Sequence, residues 1–253
     1  MGKVWFIGAG PGDPELLTIR ALKILEKCRL IIYPGSLINE EFFDFLKKNF
    51  PDAELLDSAP LILEEIFQRI LETISQGRDV ARLVSGSPAF YSAIQEQIEL
   101  LRRSGIPYEV IPGISSGTAG ACRMGIELTY PELSHTVIFT RFSGKTGGAT
   151  PEEIKKLTLK NAVLVFFLST SLADKLQNTL LEVLPEDTPI AIVYRVYQSK
   201  ELIFHGTLHQ LTTLVDRLPE RKTALIYVGN ALKLLRENPG IRSKLYGKNK
   251  KRK

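Results

Sequence analysis

The sequence predicts two α/β domains with a ligand cleft between them. Three observations lead to this prediction: the chain has 253 residues, 44% of them are hydrophobic, and short apolar runs alternate with amphipathic helical patterns. This length suits one large or two small domains, and the cleft between two domains is the usual ligand site. The composition, with 24% charged residues, excludes a disordered chain.

The first half of the chain favours a largely parallel sheet covered by helices, because strand-like and helical patterns alternate there. Asp13 is placed to cap a helix that begins with Pro14, whose missing N–H has no partner to lose in the first turn. The predicted strands are 3–7, 30–33, 80–84 and 108–111. The predicted helices are 14–26, 42–48, 61–75, 89–103 and 115–124.

A domain boundary is predicted within residues 127–134, which contain Pro131 and show no clear periodicity. The domains would then comprise residues 1–130 and 131–240. In the second, Thr150 and Glu153 fit a capping box around Pro151. Its predicted strands are 136–141, 162–168, 190–195, 202–205 and 224–228, and its predicted helices are 152–157, 172–184 and 208–218.

The net charge of +5 equals the charge of residues 248–253, which end a predicted C-terminal tail of residues 241–253. Lys and Arg occupy five positions in 248–253, and the rest of the chain has 28 basic and 28 acidic residues. We therefore expect a neutral folded body and a basic, disordered, solvated tail. Binding of that tail to nucleic acid is the alternative, which we do not expect.

The residue inventory argues against metal sites, disulfide frameworks and membrane proteins. Cys28 and Cys122 are the only cysteines, and the three histidines lack any metal-ligand spacing. No apolar run is long enough to span a bilayer, and the first residues do not form a signal peptide. We therefore expect a reduced, cytoplasmic protein without a metal.

Four turns follow predicted strands: 8–13 (Gly-Ala-Gly-Pro-Gly-Asp), 33–36 (Tyr-Pro-Gly-Ser), 85–88 (Ser-Gly-Ser-Pro) and 112–116 (Pro-Gly-Ile-Ser-Ser). Ligands of open α/β sheets bind at the carboxyl ends of strands, so these turns predict a ligand site at one sheet edge. Segment 8–13 is neither a P-loop nor a good dinucleotide fingerprint, because Asp13 would repel a pyrophosphate. Asp13 is a helix cap or a functional group.

These turns also carry a resemblance to a known family. Segment 4–18 resembles the opening signature of the tetrapyrrole (corrin/porphyrin) methyltransferases, and segments 108–116 and 221–229 resemble its later signatures. Segments 33–38 and 127–138 resemble the branch of the family that methylates C11 of a corrin precursor. The resemblance covers residues 2–235.

The resemblance implies methyl transfer from S-adenosylmethionine (SAM) to C11 of precorrin-4 or its cobalt form, in cobalamin biosynthesis. It further implies a fold of two α/β domains, with the cofactor in the cleft between them, and a homodimer. Three alternatives stay open: another corrin carbon, an RNA or protein substrate, and a non-catalytic protein that only binds a ligand.

The resemblance also assigns site residues. Those for the cofactor are Pro11, Ser85, Gly86, Ser87, Phe90, Ser115, Ser116, Leu168, Val196 and Ala224. Our candidates for the substrate are Tyr33 and Ser36, on the turn that resembles the C11 branch. Arg123, Arg141 and Lys145, near predicted strand or helix ends, are added as clamps for its carboxylates because of their charge. Asp13 is our candidate for a catalytic base. The family's Gly-Asp-Pro loop is Gly86-Ser87-Pro88 here, so Ser87 offers a hydrogen bond without a charge, a difference of about 1 kcal/mol.

Overall fold

The computed structural model describes residues 2–144 and 147–236. The chain divides into two compact units, Met1–Ser116 with Tyr197–Ser199 and Gly117–Val196 with Lys200–Lys253. The division therefore falls at the start of the helix that the sequence placed last in the first domain. This helix groups with the second unit, where the buried Tyr227 hydroxyl donates a hydrogen bond to the Gly117 carbonyl oxygen at 2.9 Å. The predicted tail, 241–253, lies outside the described residues.

The first unit contains a parallel five-stranded sheet, as the alternating pattern predicted. Its strands are β1 (Val4–Gly8), β2 (Leu30–Tyr33), β3 (Glu54–Asp57), β4 (Val80–Val84) and β5 (Tyr108–Ile111), in the order β3-β2-β4-β1-β5. The helices up to the boundary are α1 (Ile19–Leu25), α2 (Glu40–Asn49), α3 (Leu63–Ser75) and α4 (Gln95–Arg103), followed by α5 (Ser116–Met124).

Helices cover the first sheet, so its central strands are apolar on both faces. Helix α3, for example, buries Ile66, Ile70 and Ile74, which lie four residues apart on one face. Arg82 in β4 is the exception to the apolar pattern. Its Nε donates to Gln97 Oε1 and its Nη1 to the Leu83 carbonyl oxygen, both at 3.1 Å. Burial lowers the pKa of Arg82 to about 10.

The second unit contains a mixed five-stranded sheet. Its strands are β6 (Thr136–Thr140), β7 (Ala162–Phe166), β8 (Pro189–Tyr194), β9 (Leu202–Thr207) and β10 (Ala224–Val228), in the order β6-β7-β10-β8-β9. Only β6 and β7 pair in parallel, and every other pair is antiparallel. The remaining α-helices are α6 (Pro151–Leu157), α7 (Ala173–Leu181) and α8 (Leu211–Val215). Thr150 caps α6 through the predicted capping box with Glu153.

Three local predictions differ from the structure. The helix predicted over 14–26 is split into a 3₁₀ turn, Pro14–Leu16, and α1, because Leu17 and Thr18 are extended and the Thr18 side chain caps α1. The helix predicted from residue 89 begins only at Gln95, because Tyr91 and Ala93 take the left-handed conformation. Strand β3 was not predicted. Within residues 2–144 and 147–236, no helix is both long and apolar enough to cross a bilayer.

Candidate functional site

The turns after β1, β4 and β5 meet backbone to backbone at the carboxyl edge of the first sheet. Gly10 and Gly86 exchange hydrogen bonds, with the Gly86 N–H donating to the Gly10 carbonyl oxygen at 2.8 Å and the reverse bond at 3.2 Å. A Cβ atom on Gly113 would lie 2.5 Å from the Gly86 carbonyl oxygen and 2.6 Å from the Gly8 carbonyl carbon. Glycine is therefore required where these three turns touch.

Gly86 is less tightly enclosed than Gly113. A Cβ atom on Gly86 would meet only the Ser116 backbone nitrogen at 3.7 Å and the Ile114 carbonyl oxygen at 4.0 Å, which are ordinary contacts. Phe90 and Ile114, in the adjoining loops, are 41% and 38% exposed. The edge thus combines backbone polar groups with accessible apolar side chains, as ligand sites commonly do.

The turn after β1 is held by side chains from distant segments. Asp13 Oδ1 accepts a hydrogen bond from the Glu15 backbone N–H at 2.8 Å, so Asp13 is a helix cap. Gln198 Nε2 donates to the Pro11 carbonyl oxygen at 2.7 Å, and Asn39 Nδ2 donates to the Gly12 carbonyl oxygen at 3.1 Å. Both carbonyl groups therefore have a fixed direction.

The turn after β2 is fixed by Asp57, the last residue of β3. Asp57 Oδ1 accepts hydrogen bonds from the backbone N–H groups of Gly35 and Ala59, both at 2.8 Å. Partial burial and the Asp57 charge raise the pKa of Tyr33. Ser36, at the end of the turn, is exposed. The two predicted substrate residues therefore lie on a turn at the same sheet edge as the glycine contact.

The predicted serines of the other two turns also lie at this edge. Ser85 and Ser87 are half-buried, and Ser87 Oγ accepts from the Ala89 N–H at a long 3.4 Å. Ser115 is buried and Ser116 half-buried at the start of α5. The strand order β4-β1-β5 therefore brings these turns to one edge of the sheet.

Four further predicted residues lie together at one edge of the second sheet. Strands β6, β7 and β8 end at this edge and β10 begins there, because β10 runs antiparallel to β7 and β8. The residues at this edge are Arg141, Leu168, Val196 and Ala224. Among these, Leu168 is 58% exposed, whereas Val196 and Ala224 are buried.

Charged pairs surround this second edge. Arg195 Nη2 lies 2.6 Å from Glu220 Oε1, which also accepts from the Tyr194 hydroxyl at 3.0 Å. These two donors, Arg195 first, lower the pKa of Glu220. Arg123 is half-exposed, and its Nε lies 2.7 Å from Glu201 Oε1. The third predicted clamp, Lys145, lies outside the described residues.

No sequence pattern marks Gln198, Asn39 or Asp57, the residues that hold the turns. Each is a single polar residue outside any motif, and its partner is remote in the chain. In the part of the chain that the structure describes, no group of three His, Cys, Asp or Glu residues could hold a metal ion.

Comparison with known proteins identifies the class. The family model of the Tetrapyrrole (Corrin/Porphyrin) Methylases matches residues 3–212. The chain therefore belongs to this family and is a methyltransferase.

Similarity to individual proteins is more specific than the match to the family. The chain is 43% identical over 250 residues to the cobalt-precorrin-4 C(11)-methyltransferase of Methanocaldococcus jannaschii, covering 98% of this chain and 93% of that protein. Its fold matches the X-ray structure of a cobalt precorrin-4 methyltransferase with a TM-score of 0.85 and 36% identity, covering 91% and 95% of the two chains. A uroporphyrin-III C-methyltransferase from Thermus thermophilus, solved with S-adenosylhomocysteine, matches with a TM-score of 0.76 and 26% identity, covering 92% and 100%.

Proposed function

We propose that this protein transfers a methyl group from SAM to C11 of precorrin-4 or cobalt-precorrin-4. The observation that carries the proposal is the backbone contact of three turns at the carboxyl edge of the first sheet, in a chain that belongs to the tetrapyrrole methylases. The archaeal relative named for the cobalt form is the reason to test that form first.

The residues present fit SAM. The Ile114 carbonyl group lies beside Gly86 and can bind a polar part of the cofactor. In the first unit, Phe90 is 41% exposed and offers accessible apolar surface to the cofactor. In the second unit, Leu168 is 58% exposed and is a cofactor residue by the resemblance to the family. When bound, the sulfonium supplies an activated methyl group. The Ser87 hydroxyl would take the place of the acid in the family's loop.

The chain's own contribution is then positioning and the exclusion of water. Rigid turns would hold the bound cofactor in a fixed position relative to the substrate. This matters because a misplacement of about 1 Å can slow a reaction about a hundredfold. The glycine contacts and the amide bonds to Pro11 and Gly12 supply this rigidity. Apolar side chains at the edge exclude water from the reacting carbon.

Asp13 is proposed to accept the proton that the macrocycle loses. Its Oδ1 caps the 3₁₀ turn, which fixes the carboxylate at the end of the β1 turn. Asp13→Asn separates the two roles, because asparagine caps a helix as well as aspartate does. We expect an unchanged unfolding temperature and a turnover number lower by about a hundredfold. Unchanged turnover would leave Asp13 as a cap only.

Arg123, Arg141 and Lys145 are proposed to bind the carboxylates of the macrocycle. Arg123 pairs with Glu201 in this structure. We expect reversal of Arg123 or of Arg141 to glutamate to weaken substrate binding relative to the wild type. Steady-state KM values for the tetrapyrrole would show the difference. If the KM is the same in both variants and the wild type, the clamp assignment is wrong.

The test of the function has two steps. Calorimetric titration with S-adenosylhomocysteine should show micromolar binding near one ligand per chain, and the absence of binding would contradict the proposal. Incubation with SAM carrying a ¹³C-methyl group and either tetrapyrrole should then give a product whose NMR spectrum places the label at C11. A label on another carbon would favour a sister activity, and labelling of RNA or protein alone would favour a different substrate class.

We also propose that the protein is a cytoplasmic homodimer. The homodimer follows from the resemblance to the family, and light scattering of the purified protein would test it. The cytoplasmic location is supported by Cys28 and Cys122, both free thiols, as expected in a reducing compartment. Fractionation of the source cells would check the location.

A further inference from the structure

A segment far along the chain reaches the turn after β1. Tyr197–Ser199 groups with the first unit, although it directly follows residues of the second unit in sequence. Gln198, half-buried, donates from Nε2 to the Pro11 carbonyl oxygen at 2.7 Å across 187 positions of sequence. This bond is shorter than most N–H···O bonds in proteins.

Gln198 also packs directly on Gly12. A Cβ atom on Gly12 would lie 2.2 Å from Gln198 Cγ and 2.8 Å from its Nε2, so the side chain lies flat against the glycine. Gly12 has φ 146°, a conformation that residues with side chains rarely adopt. The glutamine thus contacts the turn through both its amide and its methylene group.

The backbone around Gln198 is strained. Arg195, Tyr197 and Lys200 have φ values of 48°, 54° and 64°. Left-handed residues with side chains are unfavourable and persist only where the surrounding structure holds them, often beside functional sites. Three of them within six positions present Gln198 to the turn.

We propose that Gln198 is a positioning residue for the cofactor turn. Resting on the proposed function, the inference is that its amide sets the direction of the Pro11 carbonyl group and so prepares the turn for SAM. Asn39 makes the corresponding bond to the next carbonyl group, that of Gly12, at 3.1 Å, and its Oδ1 caps α2. Among the residues that the structure describes, the Gln198 side chain makes a hydrogen bond to Pro11 alone, so its replacement changes the turn with little effect elsewhere.

The test is Gln198→Glu, which has nearly the same shape but places an acceptor against the Pro11 oxygen. We expect the Kd for S-adenosylhomocysteine and the KM for SAM to rise about tenfold, with kcat within a factor of about two. Gln198→Ala, which leaves the carbonyl group to water, should raise both about threefold. Gln76→Glu is the matched control: it makes the same charge change at an exposed residue after α3, near the amino edge of the sheet, and should leave both constants unchanged.

The outcomes separate this inference from the function itself. If the wild type binds S-adenosylhomocysteine and both Gln198 variants bind equally well, Gln198 does not position the turn. If the variants lower the unfolding temperature but leave Kd and KM unchanged, its role is structural and the inference is wrong. If the wild type binds no S-adenosylhomocysteine, the proposed function fails and the inference fails with it.

Discussion

The two sheet edges that gather the candidate residues are built from different backbone conformations. At the edge of the first sheet, the turns approach each other through Gly8, Gly86 and Gly113. At the edge of the second sheet, the chain turns through Leu168, Arg195 and Thr223, whose φ values lie between 48° and 53°. Glycine turns need no strain, whereas turns through larger residues store it. The first edge therefore depends on the absence of side chains, and the second on contacts that hold unfavourable conformations.

The largest effect that we expect from this difference follows Gly113→Ala. The added Cβ would lie 2.5 Å from the Gly86 carbonyl oxygen, and backbone atoms cannot yield as a flexible side chain can. We expect the free energy of unfolding to fall by about 3 kcal/mol, and binding of S-adenosylhomocysteine to be lost. Urea unfolding and calorimetry measure the two effects.

The control for this variant is Gly105→Ala. Gly105 has φ 64° but no atom within 4 Å of an added Cβ, so only the backbone conformation is penalised, by about 1 kcal/mol. If Gly113→Ala is no more destabilising than this control, the turns are not in rigid contact.

Leu168→Ala tests whether an exposed side chain at the second edge contributes to cofactor binding. Leu168 is 58% exposed, so its truncation should change the free energy of unfolding by no more than about 0.5 kcal/mol. Under the proposed function we expect binding of S-adenosylhomocysteine to weaken about tenfold, because apolar contact with the cofactor is lost. Leu159→Ala is the matched control, since Leu159 is 51% exposed and precedes β7 at the opposite edge. Equal binding by both variants would remove Leu168 from the site.

Cys28 lies in the first unit, so the ionisation of its thiol reports on the stability of that unit. Burial, with a smaller effect of the Asp79 charge, raises the pKa of its thiol from 9.0 to about 12. The unfolded thiol therefore ionises first, and stability is lost as the pH rises above 9, through to about 12. At pH 9.5 the loss relative to pH 7 should be about 0.8 kcal/mol for this group.

Cys28→Ala should remove this part of the alkaline loss. Urea unfolding of both proteins at pH 7 and pH 9.5 gives the difference. If the two units unfold in separate transitions, the difference belongs to the transition of the first unit. An identical alkaline loss in both proteins would show that the thiol does not contribute.

The smallest effect concerns strain at the second edge. Thr223 is exposed, β-branched and left-handed, with φ 53°. Thr223→Gly relieves this strain but adds freedom to the unfolded chain, so we expect a net gain of about 0.5 kcal/mol. Lys222→Gly, one residue earlier and without a left-handed φ, should be destabilising. Thermal unfolding compares the two, and a destabilised Thr223→Gly would show that Thr223 is not strained.

Comparison of the predicted and observed elements shows which parts of the fold the sequence pattern predicts. Strands β2, β4 and β10 begin and end where the apolar runs do, because buried strands need nearly continuous apolar residues. Strand β3 is four residues long and half-exposed, so it has no such run. Tyr91 and Ala93 belong to a pattern typical of a helix, yet both take a left-handed conformation, with φ values of 51° and 52°.

In the candidate site, too, some features can be predicted from the sequence and others cannot. Turns rich in glycine can be recognised in a sequence, because glycine itself is the signal for a close backbone approach. The amide of Gln198 acts on Pro11 only after folding has brought them together, and nothing in its local sequence marks it. The strained residues of the second edge carry ordinary side chains, so nothing in the sequence predicts their left-handed conformation.

The strand orders determine when each strand can pair while the chain is being synthesised on the ribosome. Strand β1 pairs with β4 and β5, so the first strand to emerge waits without either neighbour until residues 80–111 have been made. In the second sheet, by contrast, the central strand is made after the strands on either side of it. The pairs β6-β7 and β8-β9 can form early, but β10, the last strand to be translated, is the one that joins them. A nascent chain that stalls before residue 224 therefore leaves two hairpin-sized pieces with unpaired edges, which are exposed to aggregation.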